Sequence, residues 1–203
     1  MKKFNKEFYN KDYYGGSKSS YATYDFEKIR HFYEQHADDL IYFFKPNSIL
    51  EIGCAKGYLV DILLDRKIDI YGCDISEYAI ETSKNKNRLI VCDVRDGLPY
   101  PDNFVDLICS YSTFEHIEDE YIPKIMAEIY RVSKNGFFLE VPVSLENKNT
   151  PWGDVSHVNY MPTSYWISQA YNSGWLLDMR RVKQIDVGKC HNVELSFTKV
   201  IKI

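Results

Sequence analysis

The sequence predicts an α/β protein with a mostly parallel sheet, a helical extension before it and a hairpin at its end. Short apolar runs alternate with segments whose apolar residues recur every three or four positions, as on one helix face. The apolar runs are nearly continuous, which burial on both faces of a parallel sheet requires. The β-rich runs at 175–186 and 193–203 are joined by a short connection, which permits an antiparallel pair.

The N-terminal extension spans residues 1–45. Residues 1 to about 20 show no periodicity and are expected to be irregular. A helix is predicted over 25–44, because Phe26, Ile29, Leu40 and Phe44 fit one helix face. Lys45-Pro46-Asn47 ends it.

The core, residues 46–203, is expected to form a single domain with the extension. A glycine turn follows the first strand, and helical spacing resumes at Leu59. The later helices are predicted at 77–85, 121–132 and 163–173, the last of them ended by Gly174. The predicted parallel strands are 48–52, 68–73, 89–92, 105–110 and 136–141.

Composition excludes several classes of protein. The 203 residues carry 25 basic and 29 acidic side chains, a net charge of −4, with no basic run of the kind that dedicated nucleic-acid binders have. No apolar stretch approaches the ~20 residues that span a bilayer, and the N-terminus lacks the pattern of a secretory signal. We therefore expect a cytoplasmic protein. The five cysteines form no Cys-x-x-Cys pair and are expected to be free; four of them, at 54, 73, 92 and 109, fall at predicted strand ends.

Three segments follow the first three strands, where ligands bind in open α/β sheets. The first is Glu51-Ile52-Gly53-Cys54-Ala55-Lys56-Gly57, whose glycines permit a tight turn. Asp74 follows the second strand and Asp93 the third. Both carboxylates are placed to accept hydrogen bonds from a ligand at this edge.

These spacings, with the stretch 98–106 before the fourth strand, resemble the class I S-adenosylmethionine-dependent methyltransferases from about residue 48 to 141. The resemblance implies a Rossmann-like seven-stranded sheet with an antiparallel last strand and helices on both faces. It also implies S-adenosyl-L-methionine as cofactor, with the turn around the methionine part, Asp74 on the ribose and Asp93 on the adenine. The cofactor-binding residues that it implies are Glu51, Gly53, Cys54, Ala55, Gly57, Asp74, Ile75, Asp93, Val94 and Ser110.

A nicotinamide dehydrogenase is the competing interpretation of the turn. Its fingerprint, Gly-x-Gly-x-x-Gly, rests a pyrophosphate on a helix N-terminus. Here Ala55 stands at the second glycine position and Gly57 comes one residue early, which disfavours that class. A cofactor-binding module without catalysis is not excluded by the motif.

Methyl transfer from a sulfonium is an in-line displacement that a general base assists when the acceptor is a hydroxyl. His116, just after the fourth strand, and His157, on the loop after the fifth, are the candidate bases, and Glu115 adjoins the first. The alternative interpretation is that Glu115-His116 caps the next helix and that His157 is a loop residue.

Part of the sequence also resembles a metal-dependent class of methyltransferases. Small-RNA 2′-O-methyltransferases carry a Glu-x-x-Glu-His pattern and a later histidine that bind magnesium, which Glu115, His116 and His157 match in part. Ser112 replaces the first glutamate, a serious loss for a hard-cation site, so no metal is expected. The Asn/Asp-Pro-Pro-aromatic motif of amino-methylating DNA enzymes is absent from the end of the fourth strand, which disfavours DNA.

The expected acceptor is a small molecule or glycan, methylated on an oxygen or, as the less favoured choice, on a nitrogen. The loop from Trp152 to Val158 loosely resembles sugar and surface-glycan methyltransferases, and Trp152, Tyr160 and Trp166 suit stacking on a ring. These aromatics equally suit a satellite core. The alternatives are a protein or RNA acceptor and a catalytically silent binder.

Overall fold

Seven strands form one sheet in the order β3-β2-β1-β4-β5-β7-β6. The computed structural model describes residues 3–15, 25–144, 154–187 and 190–199. The strands are β1 (Ser48–Ile52), β2 (Asp69–Asp74), β3 (Leu89–Val91), β4 (Val105–Tyr111), β5 (Ser133–Val143), β6 (Trp175–Val187) and β7 (Cys190–Lys199).

Six α-helices connect or precede these strands within the described residues. None of them is long and apolar enough to cross a bilayer. They are α1 (Lys11–Tyr14), α2 (Phe26–Phe44), α3 (Tyr58–Asp65), α4 (Glu77–Glu81), α5 (Ile122–Val132) and α6 (Thr163–Asn172), and short 3-10 turns lie at Lys86–Arg88, Phe114–His116 and Asp119–Tyr121.

Strand pairing confirms the predicted fold class. β1 pairs in parallel with both β2 and β4, so the strand order reverses beside β1. β7 pairs antiparallel with both β5 and β6, which is the predicted hairpin. Because a ligand binds where the order reverses, the carboxyl ends of β1, β2 and β4 define the place to look for a site.

Helices bury apolar side chains on both faces of the sheet, as predicted. On one face, α5 and α6 pack Ile125, Met126 and Trp166 against the sheet, all fully buried. On the other, Leu40 of α2 and Leu63 of α3 pack there. Trp166 therefore belongs to the core, in edge contact with Phe114, and not to an acceptor wall.

Three local predictions need correction. The N-terminal segment is irregular at residues 3–10, as predicted, but residues 11–14 form α1, where Asn10 caps the helix by accepting from the N–H of Asp12 at 3.0 Å. α4 ends at Glu81 and not at residue 85, where a tighter turn closes the helix: the Ser83 N–H donates to the Ile80 carbonyl, three residues back, at 3.1 Å. β5 begins three residues earlier than predicted.

The four strand-end cysteines are free, as predicted, and those at 54, 73 and 109 are buried. The expectation of a single domain over residues 1–203 stays a prediction.

Candidate active site

The turn after β1 has an unusual backbone. Gly53, Ala55 and Gly57 have positive φ of 76°, 48° and 72°. A Cβ at Gly53 would overlap the Thr113 side chain, so glycine is required there both by conformation and by packing. Gly57 then precedes the first residue of α3. The turn therefore lies directly against the residues that follow β4.

Asp74, the last residue of β2, holds this turn in place. Its Oδ2 accepts from the Ala55 N–H at 2.8 Å and its Oδ1 from the Ser76 N–H at 2.8 Å. Burial raises the pKa of the carboxyl, and the two N–H donors oppose that shift. Ile75 is partly buried beside the turn. The predicted ribose ligand is thus also a structural member of the turn.

Glu51 contributes a second buried carboxyl to the same place. Its side chain is 3% exposed, and within the described residues its Oε2 has no hydrogen-bond partner. Burial, and then the charge of Asp74, raises the pKa of Glu51 to about 8. A buried carboxyl in this state favours a positively charged or hydrogen-donating ligand beside it.

Asp93, after β3, lies in a partly buried ion pair with the buried Arg95. Arg95 Nε donates to Asp93 Oδ1 at 2.8 Å and Nη1 donates to Glu118 Oε2 at 3.0 Å. Arg95 Nη2 also donates to the Phe4 carbonyl at 2.7 Å. Arg95 thereby fastens the N-terminal segment to the end of β3.

The remaining predicted cofactor residues are buried. Val94 lies in the main core, Cys54 lies under the turn, and Ser110 Oγ donates to the Ile52 carbonyl at 3.0 Å. Residues 3–15 cover the turn from outside, where Tyr9, Tyr13 and Tyr14 cluster with Ala55 and Ala79.

The three predicted catalytic residues come together at the neighbouring end of β4. Glu115, His116 and His157 place one ligand atom each within 4.8 Å of one another. The loop after β5 is fixed there because the N–H groups of Val158 and Asn159 donate to the Glu115 carbonyl at 2.8 and 3.0 Å. Tyr121 directly precedes α5, so Glu115-His116 is not its cap.

Burial controls the charge of this cluster. It raises the pKa of Glu115 to about 8. Burial and then the neighbouring His157 lower the pKa of His116 to about 3, and burial lowers the pKa of His157 as well. Both imidazoles are therefore neutral near pH 7, and each has a ring nitrogen with a free lone pair.

The spacing of this cluster also suits a shared metal ion. At the position of the first glutamate in the Glu-x-x-Glu-His pattern, this chain has Ser112. The expectation that no metal is needed stays a prediction. Trp152 lies outside the described residues.

A family profile described as a methyltransferase domain matches residues 50–139. The matched range contains the glycine turn, Asp74, Asp93 and the Glu115-His116 pair. Residues 50–139 thus match the methyltransferase-domain family, and the chain has the Rossmann-like fold of S-adenosylmethionine-dependent methyltransferases.

Two curated methyltransferases are similar to part of this chain. A probable S-adenosylmethionine-dependent methyltransferase of Mycolicibacterium smegmatis is 29% identical over 101 residues, which are 47% of this chain and 38% of that protein. Ajmaline N-methyltransferase of Rauvolfia serpentina is 30% identical over 102 residues, 45% of this chain and 34% of that protein. The chain thus matches well under half the length of these relatives.

A solved structure shares the whole architecture. Magnesium protoporphyrin IX methyltransferase from Synechocystis PCC 6803, with bound S-adenosylmethionine, superposes with a TM-score of 0.70 at 13% identity, covering 96% of this chain and 95% of that one. At this identity the likeness shows the fold alone.

The residues at the carboxyl ends of β1 and β2 fit the family's cofactor, S-adenosyl-L-methionine. The Oε2 of Glu51, which has no partner among the described residues, can accept a hydrogen bond from a ligand that carries an ammonium and a sulfonium, and the buried carboxylate of Asp74 supplies negative charge. The residue-by-residue cofactor contacts stay predictions.

Sequence reasoning assigned no role in the site to four residues that shape it: Tyr13, Arg95, Asp154 and Ser156. Asp154 and Ser156 lie in Asp154-Val155-Ser156-His157, where an Asp two residues before a Ser is a turn signal. Nothing local identifies Tyr13 or Arg95, because their partners lie 141 and 91 residues away.

Proposed function

We propose that this protein transfers a methyl group from S-adenosyl-L-methionine to a small molecule or glycan. The favoured acceptor atom is an oxygen, and nitrogen is the second choice. The observation that carries the proposal is the cluster of two neutral imidazoles and Glu115 at the end of β4. It adjoins the turn after β1, since Gly53 packs against Thr113, two residues before Glu115.

The cofactor, when bound, supplies an electrophilic methyl group and leaves as S-adenosyl-L-homocysteine. His116 accepts a hydrogen bond from the acceptor hydroxyl and takes its proton while the oxygen lone pair forms the new bond to carbon. A strong base is not needed, because the oxygen becomes strongly acidic as it is methylated. The low pKa of His116 is therefore compatible with this role.

The covering of the site favours a small acceptor over a macromolecule. The N-terminal segment and the loop after β5 meet where Tyr13 donates to Asp154, which narrows access from that side. Excluding water from the sulfonium is useful to this reaction. Ajmaline N-methyltransferase and magnesium protoporphyrin IX methyltransferase are named for small-molecule acceptors, which agrees with the proposal.

Screening tests the proposal. The protein is incubated with S-adenosyl-L-methionine carrying a deuterated methyl group and a panel of hydroxylated small molecules, amines and sugars, and products are read by mass. We expect labelled ether products, unchanged by EDTA, and loss of product in His116→Gln. Cofactor binding without transfer to any member, or transfer only to RNA or protein, would contradict it.

A further inference from the structure

Three side chains form a hydrogen-bonded chain behind the candidate base. His116 Nδ1 lies 2.8 Å from Ser156 Oγ, and Ser156 Oγ lies 2.6 Å from Asp154 Oδ1. Asp154 Oδ1 also accepts from the Ser156 N–H at 2.9 Å, which fixes the carboxylate relative to the hydroxyl. Asp154 is 4% exposed and Ser156 is fully buried, so water does not compete for these bonds.

The direction of these bonds follows from counting protons. Burial alone would raise the pKa of Asp154, but the side-chain and backbone hydrogen bonds that it accepts from Ser156 bring it below the usual value. The carboxylate is therefore ionised and only accepts. Ser156 has one hydroxyl proton, and at 2.6 Å from an ionised oxygen that proton points to Asp154.

His116 must then donate to Ser156. If Nδ1 carried no proton, it and the hydroxyl oxygen would be two acceptors facing each other at 2.8 Å. The neutral ring therefore carries its proton on Nδ1 and a free lone pair on Nε2. In water the neutral imidazole prefers the opposite tautomer, so the protein imposes this one through the partner of Nδ1.

We propose that Asp154 and Ser156 are positioning residues that hold His116 as its Nδ1–H tautomer and so present Nε2 as the proton acceptor of the reaction. The proposal rests on the proposed function for its catalytic part. The proton leaves the acceptor hydroxyl for Nε2, the oxygen lone pair bonds to the methyl carbon, and the electron pair of the broken carbon–sulfur bond stays on sulfur. His116 then returns the proton to solvent.

The N-terminal segment completes the chain. Tyr13 Oη donates to Asp154 Oδ2 at 3.1 Å, so both carboxylate oxygens have partners. Burial and the charge of Asp154 raise the pKa of Tyr13, which keeps the phenol a donor. A segment more than a hundred residues away in sequence thus helps to orient the base.

The tautomer is measured directly by long-range proton–nitrogen NMR of the full chain labelled with ¹⁵N-histidine, with His116→Gln to assign the signals. We expect His116 to show a protonated Nδ1 and an unprotonated Nε2 at pH 7. An Nε2–H tautomer, or a charged ring, would overturn the proposal. This spectrum needs no variant of Ser156 or Asp154, no cofactor and no acceptor. It is therefore independent of the proposed function.

Variants extend the test. Ser156→Ala and Asp154→Asn should move His116 toward the Nε2–H tautomer, whereas Ser168→Ala, at an exposed serine of α6, should leave it unchanged. With an acceptor from the screen, the two variants should lower kcat at least about 10-fold and change the Kd for S-adenosyl-L-homocysteine less than about twofold. An unchanged kcat in a folded Asp154→Asn protein would overturn the positioning role.

Discussion

The carboxylate of Asp74 accepts a 2.8 Å hydrogen bond from the Ala55 backbone N–H and so ties the end of β2 to the turn after β1. The same carboxylate accepts a second 2.8 Å bond from the Ser76 N–H. The side chain that shapes the turn is thus also the one predicted to hold the ribose. The turn and the acidic residue, which are separate motifs in the sequence, form a single structural unit.

Asp74→Ala should therefore lower the affinity for S-adenosyl-L-homocysteine about 100-fold, because hydrogen bonds to a charged group contribute roughly 1.5–3 kcal/mol each. Calorimetric titration measures the change. Asp69→Ala is the control, since Asp69 is exposed at the opposite end of β2, where it pairs with Arg88. Equal affinities in Asp74→Ala and the unsubstituted protein would refute the site assignment.

Gly53→Ala should cost about 2 kcal/mol or more of the free energy of unfolding. A Cβ there meets the Thr113 side chain, and φ is 76°. Urea denaturation measures the loss. In a double-mutant cycle Thr113→Ala should recover part of the steric cost, since it removes Oγ1 and Cγ2 but keeps the Cβ at 2.8 Å, and none of the backbone strain. A Gly53→Ala protein as stable as the unsubstituted one would contradict the positive φ of Gly53 and its close contact with Thr113.

Arg95→Met should lower the free energy of unfolding by about 2–3 kcal/mol, because it removes the charged hydrogen bonds of the partly buried Asp93 and Glu118 carboxylates. It also removes the bond to the Phe4 carbonyl, so trypsin should cleave faster after Lys6 and Lys11. Arg88→Met is the control, because its pair with Asp69 is more exposed and should contribute less than about 1 kcal/mol. Equal losses in both variants would argue against the buried pair.

Glu115→Gln should become more stable relative to the unsubstituted protein as pH rises from 5 to 8. The folded pKa of about 8 exceeds the usual 4.5, so between these values the folded protein holds a proton that the unfolded chain has lost. The contribution of Glu115 to stability therefore falls as pH rises, by at most about 1.4 kcal/mol per pH unit, and glutamine removes that dependence. Melting temperatures across this range should diverge; a constant difference would contradict the raised pKa.

Local patterns predicted the sheet well because each buried strand is a short, nearly continuous apolar run. β1 was predicted at its observed bounds, and α2 within one residue. α4 was predicted too long because its last turn tightens where the Ser83 N–H bonds the Ile80 carbonyl, a change that apolar periodicity does not record.

The site was predicted in part. Glu115, His116 and His157 converge because the fold brings the ends of β4 and β5 to one edge of the sheet, which the family resemblance implied. The contacts of Arg95 with Phe4 and of Tyr13 with Asp154 depend on tertiary packing between distant segments. No local spacing encodes such contacts, so the covering of the site by residues 3–15 emerged only from the structure.

Calorimetric titration of the purified protein with S-adenosyl-L-homocysteine, with NAD as the parallel ligand, tests the central claim most directly. The turn after β1, the unpartnered Glu51 carboxyl and Asp74 predict micromolar binding of S-adenosyl-L-homocysteine and no heat from NAD. Binding of NAD alone, or of neither ligand, would contradict the account.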